Sequence, residues 1–325
     1  MCPVIRRSRR RNRRRGFGCA LFLDRENMRL QHLLVVSVFF LFTITSVLVF
    51  GDDNAADRTP SQAKILYFTR SQTWEHDPVK LQSDGTTISG TALKNYCQAK
   101  NIELVETQDG RIFDGDIEQY DAFVFYTSGN LEEEEGSKNA TSHAISDFGM
   151  KKLFAAVETG KGFVAIHPTT ESTCKQPPVD GIDPFTKLIG ALFIVHGPMQ
   201  TAAVSIIQPA QQPFFQDKGE SYSAFEEWYT MHHFNPDMHI LLVMQTQGME
   251  GDCYHRPPYP VSWIRMQGQG RVAYTAFGHA NEYWLESKNM PMVGDLIEWS
   301  LGRLDFNLSP NLQEVAPGAE ILPEK

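Results

Sequence analysis

The chain has 325 residues, of which 42% are hydrophobic, 21% charged and 11% aromatic, a balance that excludes a disordered, collagen-like or coiled-coil polymer and suffices for a buried core. Its net charge of -9 is unevenly spread: residues 1–51 carry ten Arg and two acids, whereas the remainder carries 20 basic and 37 acidic side chains. An acidic body repels phosphate backbones, so nucleic acid is excluded as a partner in spite of the Arg cluster from Arg6 to Arg15.

From Leu33 to Phe50 there are 18 uncharged residues rich in Leu, Val, Phe and Ile. A transmembrane helix needs about 20 apolar residues and the core of a signal peptide about 7–15, so the run fits either a membrane anchor or a signal peptide. Val49-Phe50-Gly51 is an acceptable cleavage pattern, and a start at Met28 would give a signal of ordinary length. With the Arg-rich end held inside, both readings predict a body that is exported or anchored outside the cytoplasm, touching membrane only through this segment. The expected organisation is a leader over 1–51, a polar linker over 52–62, a domain over 63–303 and a tail over 304–325.

The body opens on Lys64–Thr69, an apolar run that predicts a buried strand. A helix is expected around Thr91–Lys100, a strand at Ile102–Glu106 and another at Ala122–Tyr126. Glu132–Glu135 reads as a solvated loop without function. Helical spacing runs from Ile145 to Glu158, followed by Gly160, Gly162 and a strand at Phe163–Ile166. Such alternation predicts a mostly parallel sheet flanked by helices, with ligands at the carboxyl ends of its strands. In the second half, Ala203–Gln208, His239–Thr246, Val261–Met266 and Arg271–Phe277 are strand candidates, the last two joined by a hairpin at Gln267–Gly270, which makes this half a β-rich elaboration.

Polar residues gather just after the proposed strands: Trp74, Glu75 and His76 after the first, Thr127 and Ser128 after the third, His167 and Glu171 after the fourth, and His279 after the last. His196 and the run Glu226-Glu227-Trp228-Tyr229 lie between. Parallel strands end on one side of a sheet, so His76, His167 and His279 are expected in one pocket, with His196 and Glu227 in it or on its rim. Neutral imidazoles beside carboxylates suit acid/base catalysis or a divalent metal. We take His76, His167, Glu227 and His279 as candidate catalytic residues and His196 and His279 as candidate metal ligands. Trp74, Thr127, Ser128, Trp228 and Tyr229 are candidate contacts for a carbohydrate. Cys97 reads as a core residue, and Cys174 and Cys253 as loop residues able to pair. The sequons at Asn139 and Asn307 are assigned no role.

Taken together, Tyr120–Gly129 (YDAFVFYTSG), Gly160–His167 (GKGFVAIH), Leu188–Phe193 with His196, Glu226–Tyr229 (EEWY), and Pro260–Trp263 with Gly270–His279 (GRVAYTAFGH) resemble the trehalose-utilisation (ThuA-like) domain. The resemblance spans about Lys64 to Arg303. It implies a class I glutamine-amidotransferase-like α/β fold and a link to disaccharide or keto-sugar catabolism. Carried over by motif, the polar positions are His76, His167, His196, Glu227, Tyr229 and His279; Glu171 stands where many relatives have an aspartate-containing turn. In amidotransferases of this fold a cysteine nucleophile follows the strand matching Gly162–Ile166. Here His167-Pro168 occupies that turn, so glutaminase activity is not expected. The expected function is acid/base or metal-assisted chemistry of isomerase, lyase or hydrolase type on a disaccharide or keto-sugar; the alternative is a non-catalytic glycan-binding module.

Overall fold

Residues Ala63–Phe68 form strand β1, and five of the six are buried, as a strand covered on both faces requires. The structure, a computed structural model, describes residues 62–323 except 140, 141, 217 and 307. The leader, its apolar run and most of the linker lie outside the described residues, among which no helix is long and apolar enough to cross a membrane.

Helix α1 (Ile88–Ala99) begins at Thr87, whose hydroxyl accepts from the Gly90 amide, and leads into β2 (Ile102–Thr107). Strand β3 (Ala122–Phe125) is followed by α2 (Asp147–Glu158), which starts two residues later than expected because Ser146 caps it through Gly149 N–H. Strand β4 (Gly162–Ile166) comes next, then α3 (Pro184–Ile189). The second half supplies β5 (Leu192–His196), β6 (Gln200–Ile206), β7 (Ser221–Glu226), β8 (Tyr229–His232), β9 (His239–Met244), β10 (Tyr259–Gln267) and β11 (Gly270–Thr275). Short α4 (Asn281–Leu285), α5 (Pro291–Ser300) and α6 (Leu312–Val315) complete the chain.

Nine strands make one sheet in the order β2-β1-β3-β4-β11-β10-β9-β6-β7. The first five are parallel neighbours, and from β11 onward every pairing is antiparallel. The expected mostly parallel sheet with a β-rich addition is therefore correct, with the addition extending the same sheet. The β10–β11 hairpin turns through Gly268-Gln269, with Gln267 opposite Gly270. Strands β5 and β8 pair in a small separate sheet. Strands β5, β7 and β8 are not among the expected strands; β7 is an edge strand alternating between solvent and core, and its Ser-Tyr-Ser-Ala sequence carries little apolar signal.

Three further expectations change. Glu132 is buried: its carboxylate accepts from the Lys175 amide and the Gln176 side chain, so the first acid of the run is structural, whereas Glu134 and Glu135 are solvated as expected. Cys174 and Cys253 carry free thiols, as does buried Cys97. The segment read as a tail packs back on the domain, where the Asn311 side chain meets both backbone groups of Ile240 and Leu312, Ala316 and Ala319 are buried.

Candidate functional site

All five parallel strands point the same way, and the chain leaves three of them toward one place. After β1 it runs to His76, which is 3% exposed and followed by a tight Asp77–Val79 turn. After β4 the next residue is His167, fully buried and at φ +43°, a left-handed conformation that an L-residue adopts only at a cost of about 1–3 kcal/mol. This sharp elbow, locked by Pro168 and by the Tyr274 hydroxyl donating to the His167 carbonyl, throws the imidazole across the strand ends. After β11 comes Gly278 at φ +118°, where a side chain would crowd Trp284 and Ile166, and then His279. The fourth element is β7, whose last residue is Glu226 and whose exit carries Glu227.

The His76, His167 and His279 rings lie 5.0–5.1 Å apart, centroid to centroid. Glu227 sits among them: its Oε2 is 3.0 Å from His279 Nδ1, 3.6 Å from His167 Nε2 and 3.9 Å from His76 Nε2. His167 Nε2 and His279 Nδ1 are 3.1 Å apart. One donor atom from each of these four side chains lies within 4.8 Å of all the others. Nitrogen and oxygen ligands about 2.0–2.2 Å from a tetrahedral zinc are separated by about 3.4 Å, so the observed spacing matches a metal's coordination sphere.

Hydrogen bonds behind the cluster set its protonation. His167 Nδ1 is 2.8 Å from the Ala276 carbonyl, which can only accept, so Nδ1 carries the proton and Nε2 turns a lone pair toward the cluster. Burial pushes the His167 imidazole down to about 3, and burial also lowers His76. Burial alone would raise Glu227, but the imidazoles around it, His279 at 3.0 Å among them, hold its carboxyl well below the usual carboxylate range. His279 is opposed by burial yet raised overall by its contact with Glu227. The arrangement is thus a carboxylate amid imidazoles of which two stay neutral.

Glu226, which the sequence does not distinguish from its neighbour, is 2% exposed and serves the backbone: its two oxygens accept from the amides of Gly278, His279 and Glu227. Burial raises it to about 7 against those amides. The Gly278 carbonyl is held from the other side by the Tyr126 hydroxyl and the Trp284 indole. The only sequence signal for this role is a second acid beside Glu227.

A cavity of about 630 Å³ opens on the cluster, walled by Trp74, Glu171, His196, Tyr229, Phe193 and the Ala280–Glu282 turn. Trp74 is 65% exposed at its mouth. Tyr229 stacks on His196 (5.5 Å, 12°), and its phenol is pushed far up by burial and stays protonated. Glu171 accepts from the Thr73 hydroxyl at 3.0 Å, and burial raises its carboxyl. His196 lies 3.3 Å from Glu227 Oε1, but its Nδ1 is taken up by the Gly197 carbonyl, so it stands beside the four-residue cluster rather than in it; of the two metal-ligand candidates, only His279 belongs.

Three sugar-contact candidates are corrected. Trp228 is fully buried, donates to the Gln200 carbonyl and packs on Phe277. Thr127 is tied to Ser172, and Ser128 donates to the Trp74 carbonyl, so both brace the loops behind the cavity. A cavity of similar volume beside α2 and α3 is lined by Arg265 and Asp237, which neutralise each other in a bidentate pair. Cys174 lies against Asp183, and burial pushes its thiol up to about 12, which leaves no thiolate for attack.

The profile of the trehalose-utilisation (ThuA) family matches residues 64–300, the whole span from β1 to the end of α5. The chain belongs to the ThuA family. Its membership ties it to carbohydrate use in the family's own description. Among solved structures, a ThuA-like protein from Bacteroides uniformis superposes with a TM-score of 0.54 at 18% identity, covering 80% of this chain and 99% of the other. Another, from Parabacteroides merdae, gives 0.55 at 14% identity, covering 82% and 98%. These likenesses establish a ThuA fold. A comparison with curated proteins finds no match.

Proposed function

We propose that this ThuA-family protein is a metal-dependent enzyme acting on a disaccharide or its keto derivative, and that its body works outside the cytoplasm. The observation that carries the reading is the convergence of His76, His167, Glu227 and His279, from four separate chain segments, at the spacing of a coordination sphere. A purely structural network would not need a carboxylate and three imidazoles aimed at a common point on the wall of an open cavity, nor would a passive glycan-binding module.

The four residues would hold a divalent cation, which would supply Lewis acidity to a hydroxyl or carbonyl oxygen of the sugar. The chain's other groups divide the remaining work. Glu171, raised by burial and steadied by Thr73, can give or take a proton at its carboxyl in the same cavity as the cluster. Tyr229 stays a hydrogen-bond donor, and Trp74 offers a ring face for stacking at the entrance.

The test is titration of the metal-stripped full-length protein with Zn²⁺, Mn²⁺ and Co²⁺, followed by incubation of each loaded form with trehalose and 3-keto-trehalose. One equivalent of tightly bound metal and metal-dependent turnover are expected. Absence of stoichiometric binding by any of the three ions would overturn the metal centre; turnover unaffected by chelation would overturn its role. Fusing residues 28–60 to an export reporter tests the location, and a reporter kept in the cytoplasm would refute it.

A further inference from the structure

The loop that leaves β1 carries Thr73, which donates to Glu171, Trp74 at the mouth of the cavity, and His76 in the cluster. Both ends of that loop are tied to one side chain. Asn139, 4% exposed, accepts the Ser71 amide on Oδ1 and donates from Nδ2 to the Glu75 carboxylate. Because one partner can only donate and the other only accept, the carboxamide has a single orientation. The segment that presents Asn139 is itself fastened to β1 and its exit. The Lys138 amide donates to the Ser71 carbonyl at 2.9 Å, and the fully buried Arg70 guanidinium donates to the carbonyls of Asn130 and Glu133. Between the two ties, the amides of Gln72 and Trp74 donate to the Ser128 carbonyl and hydroxyl. Asn139 also begins the sequon Asn-Ala-Thr, but a buried carboxamide with both ends engaged is closed to a glycan in the folded protein.

We propose that Asn139 is a positioning residue of the site: by bridging Ser71 and Glu75 it fixes the arc that carries Trp74 and delivers His76. The proposal rests on the metal reading above and deepens it by naming what holds His76, which follows Glu75 directly in the chain. His76 Nε2 is 3.9 Å from Glu227 Oε2, and its ring lies 5.0 Å from that of His167 and 5.1 Å from that of His279. A swing of the loop by about 1 Å is enough to take His76 out of such a constellation. The bridge is chemically asymmetric. An aspartate at 139 would keep the Ser71 bond and set a second carboxylate against Glu75, and a glutamine at 75 would then give that aspartate a donor again.

The experiment compares full-length wild type with Asn139→Asp, Asn139→Ala and the double variant Asn139→Asp with Glu75→Gln. Zn²⁺ affinity is measured by calorimetry, and amide exchange over 70–76 by mass spectrometry without metal. Asn139→Asp should weaken Zn²⁺ binding by about 10- to 100-fold, and the double variant should return to within about threefold of wild type. In metal-free Asn139→Ala, exchange over 70–76 should quicken by about tenfold while the central strands keep their protection. Unchanged exchange would overturn the bridge whether or not metal binds. Faster exchange with Zn²⁺ affinity unaltered in Asn139→Asp would overturn its link to the site, as would a double variant as weak as the single one. A wild type that binds no Zn²⁺ would overturn the metal reading instead and leave the exchange result to decide the bridge.

Discussion

The parallel and antiparallel parts of the sheet contribute to the cluster in different ways. Strands β3 and β4 are buried along their whole length, and the chain leaving β1 and β4 delivers His76 and His167, both held neutral by burial, while His279 enters at the seam between the two parts. The outer antiparallel strands β6 and β7 alternate between core and solvent, and from the end of β7 comes the one carboxylate, Glu227, whose side chain keeps 13% exposure. A deep parallel core can present neutral imidazoles at little desolvation cost but an anion only at a large one, so the negative charge is brought in from the side of the sheet nearest water.

That division can be tested. The largest effect should come from the seam itself. Trp263 on β10 stacks on Tyr274 of β11 at 4.2 Å and donates to the Ile189 carbonyl, so Trp263→Ala should cost about 3–5 kcal/mol of stability in denaturant unfolding. If it cost less than about 1 kcal/mol, the two parts would not depend on this joint. Next, Glu227→Gln keeps the shape and removes the charge; metal affinity should fall by at least about 100-fold with the fold intact by circular dichroism. Retained affinity would assign the charge elsewhere.

Glu226 works at one remove, through the backbone of Gly278 and His279, so Glu226→Gln should lower metal affinity by about 10–100-fold, while metal-free thermal unfolding stays cooperative. The pH dependence of the metal-free protein gives a smaller signal. His167 has a folded value of about 3, below the ordinary 6.5, so between these values the unfolded chain binds a proton that the native state refuses. The stability it allows above pH 6.5 is therefore lost as pH falls toward 3, by about 1.4 kcal/mol per pH unit for one such group. His167→Gln should flatten that acid limb, and an unchanged slope would show that other groups govern it. The smallest stability effect is predicted for Trp74→Ala, within about 0.5 kcal/mol, because the ring is 65% exposed, although sugar affinity should drop.

The same contrast explains what the amino-acid sequence reveals. Strands β1, β3 and β4 announce themselves as unbroken apolar runs because both their faces are covered, and His76, His167 and His279 can be picked out because each comes after such a run. Strand β7 hides, since an edge strand with solvent on one face needs no such run. With it hides the difference between Glu226 and Glu227, two identical residues of which one binds amides and the other faces three imidazoles. Trp228, Thr127 and Ser128 mislead for the opposite reason: residue type marks them as ligand contacts, yet whether an indole or a hydroxyl faces a cavity or a buried carbonyl depends on packing that no local pattern encodes.

The left-handed turn at His167 has a consequence for how such a site can change its chemistry. The strain belongs to the backbone and is sustained by the Tyr274 hydrogen bond and the strand below, so every non-glycine side chain that stands there bears it, a β-branched one most. The elbow is a fixed mounting from which a thiol would be offered as a nucleophile and an imidazole is offered as a lone pair. A change of side chain at this one position would therefore alter what the elbow offers without a new loop, a new strand or a new fold.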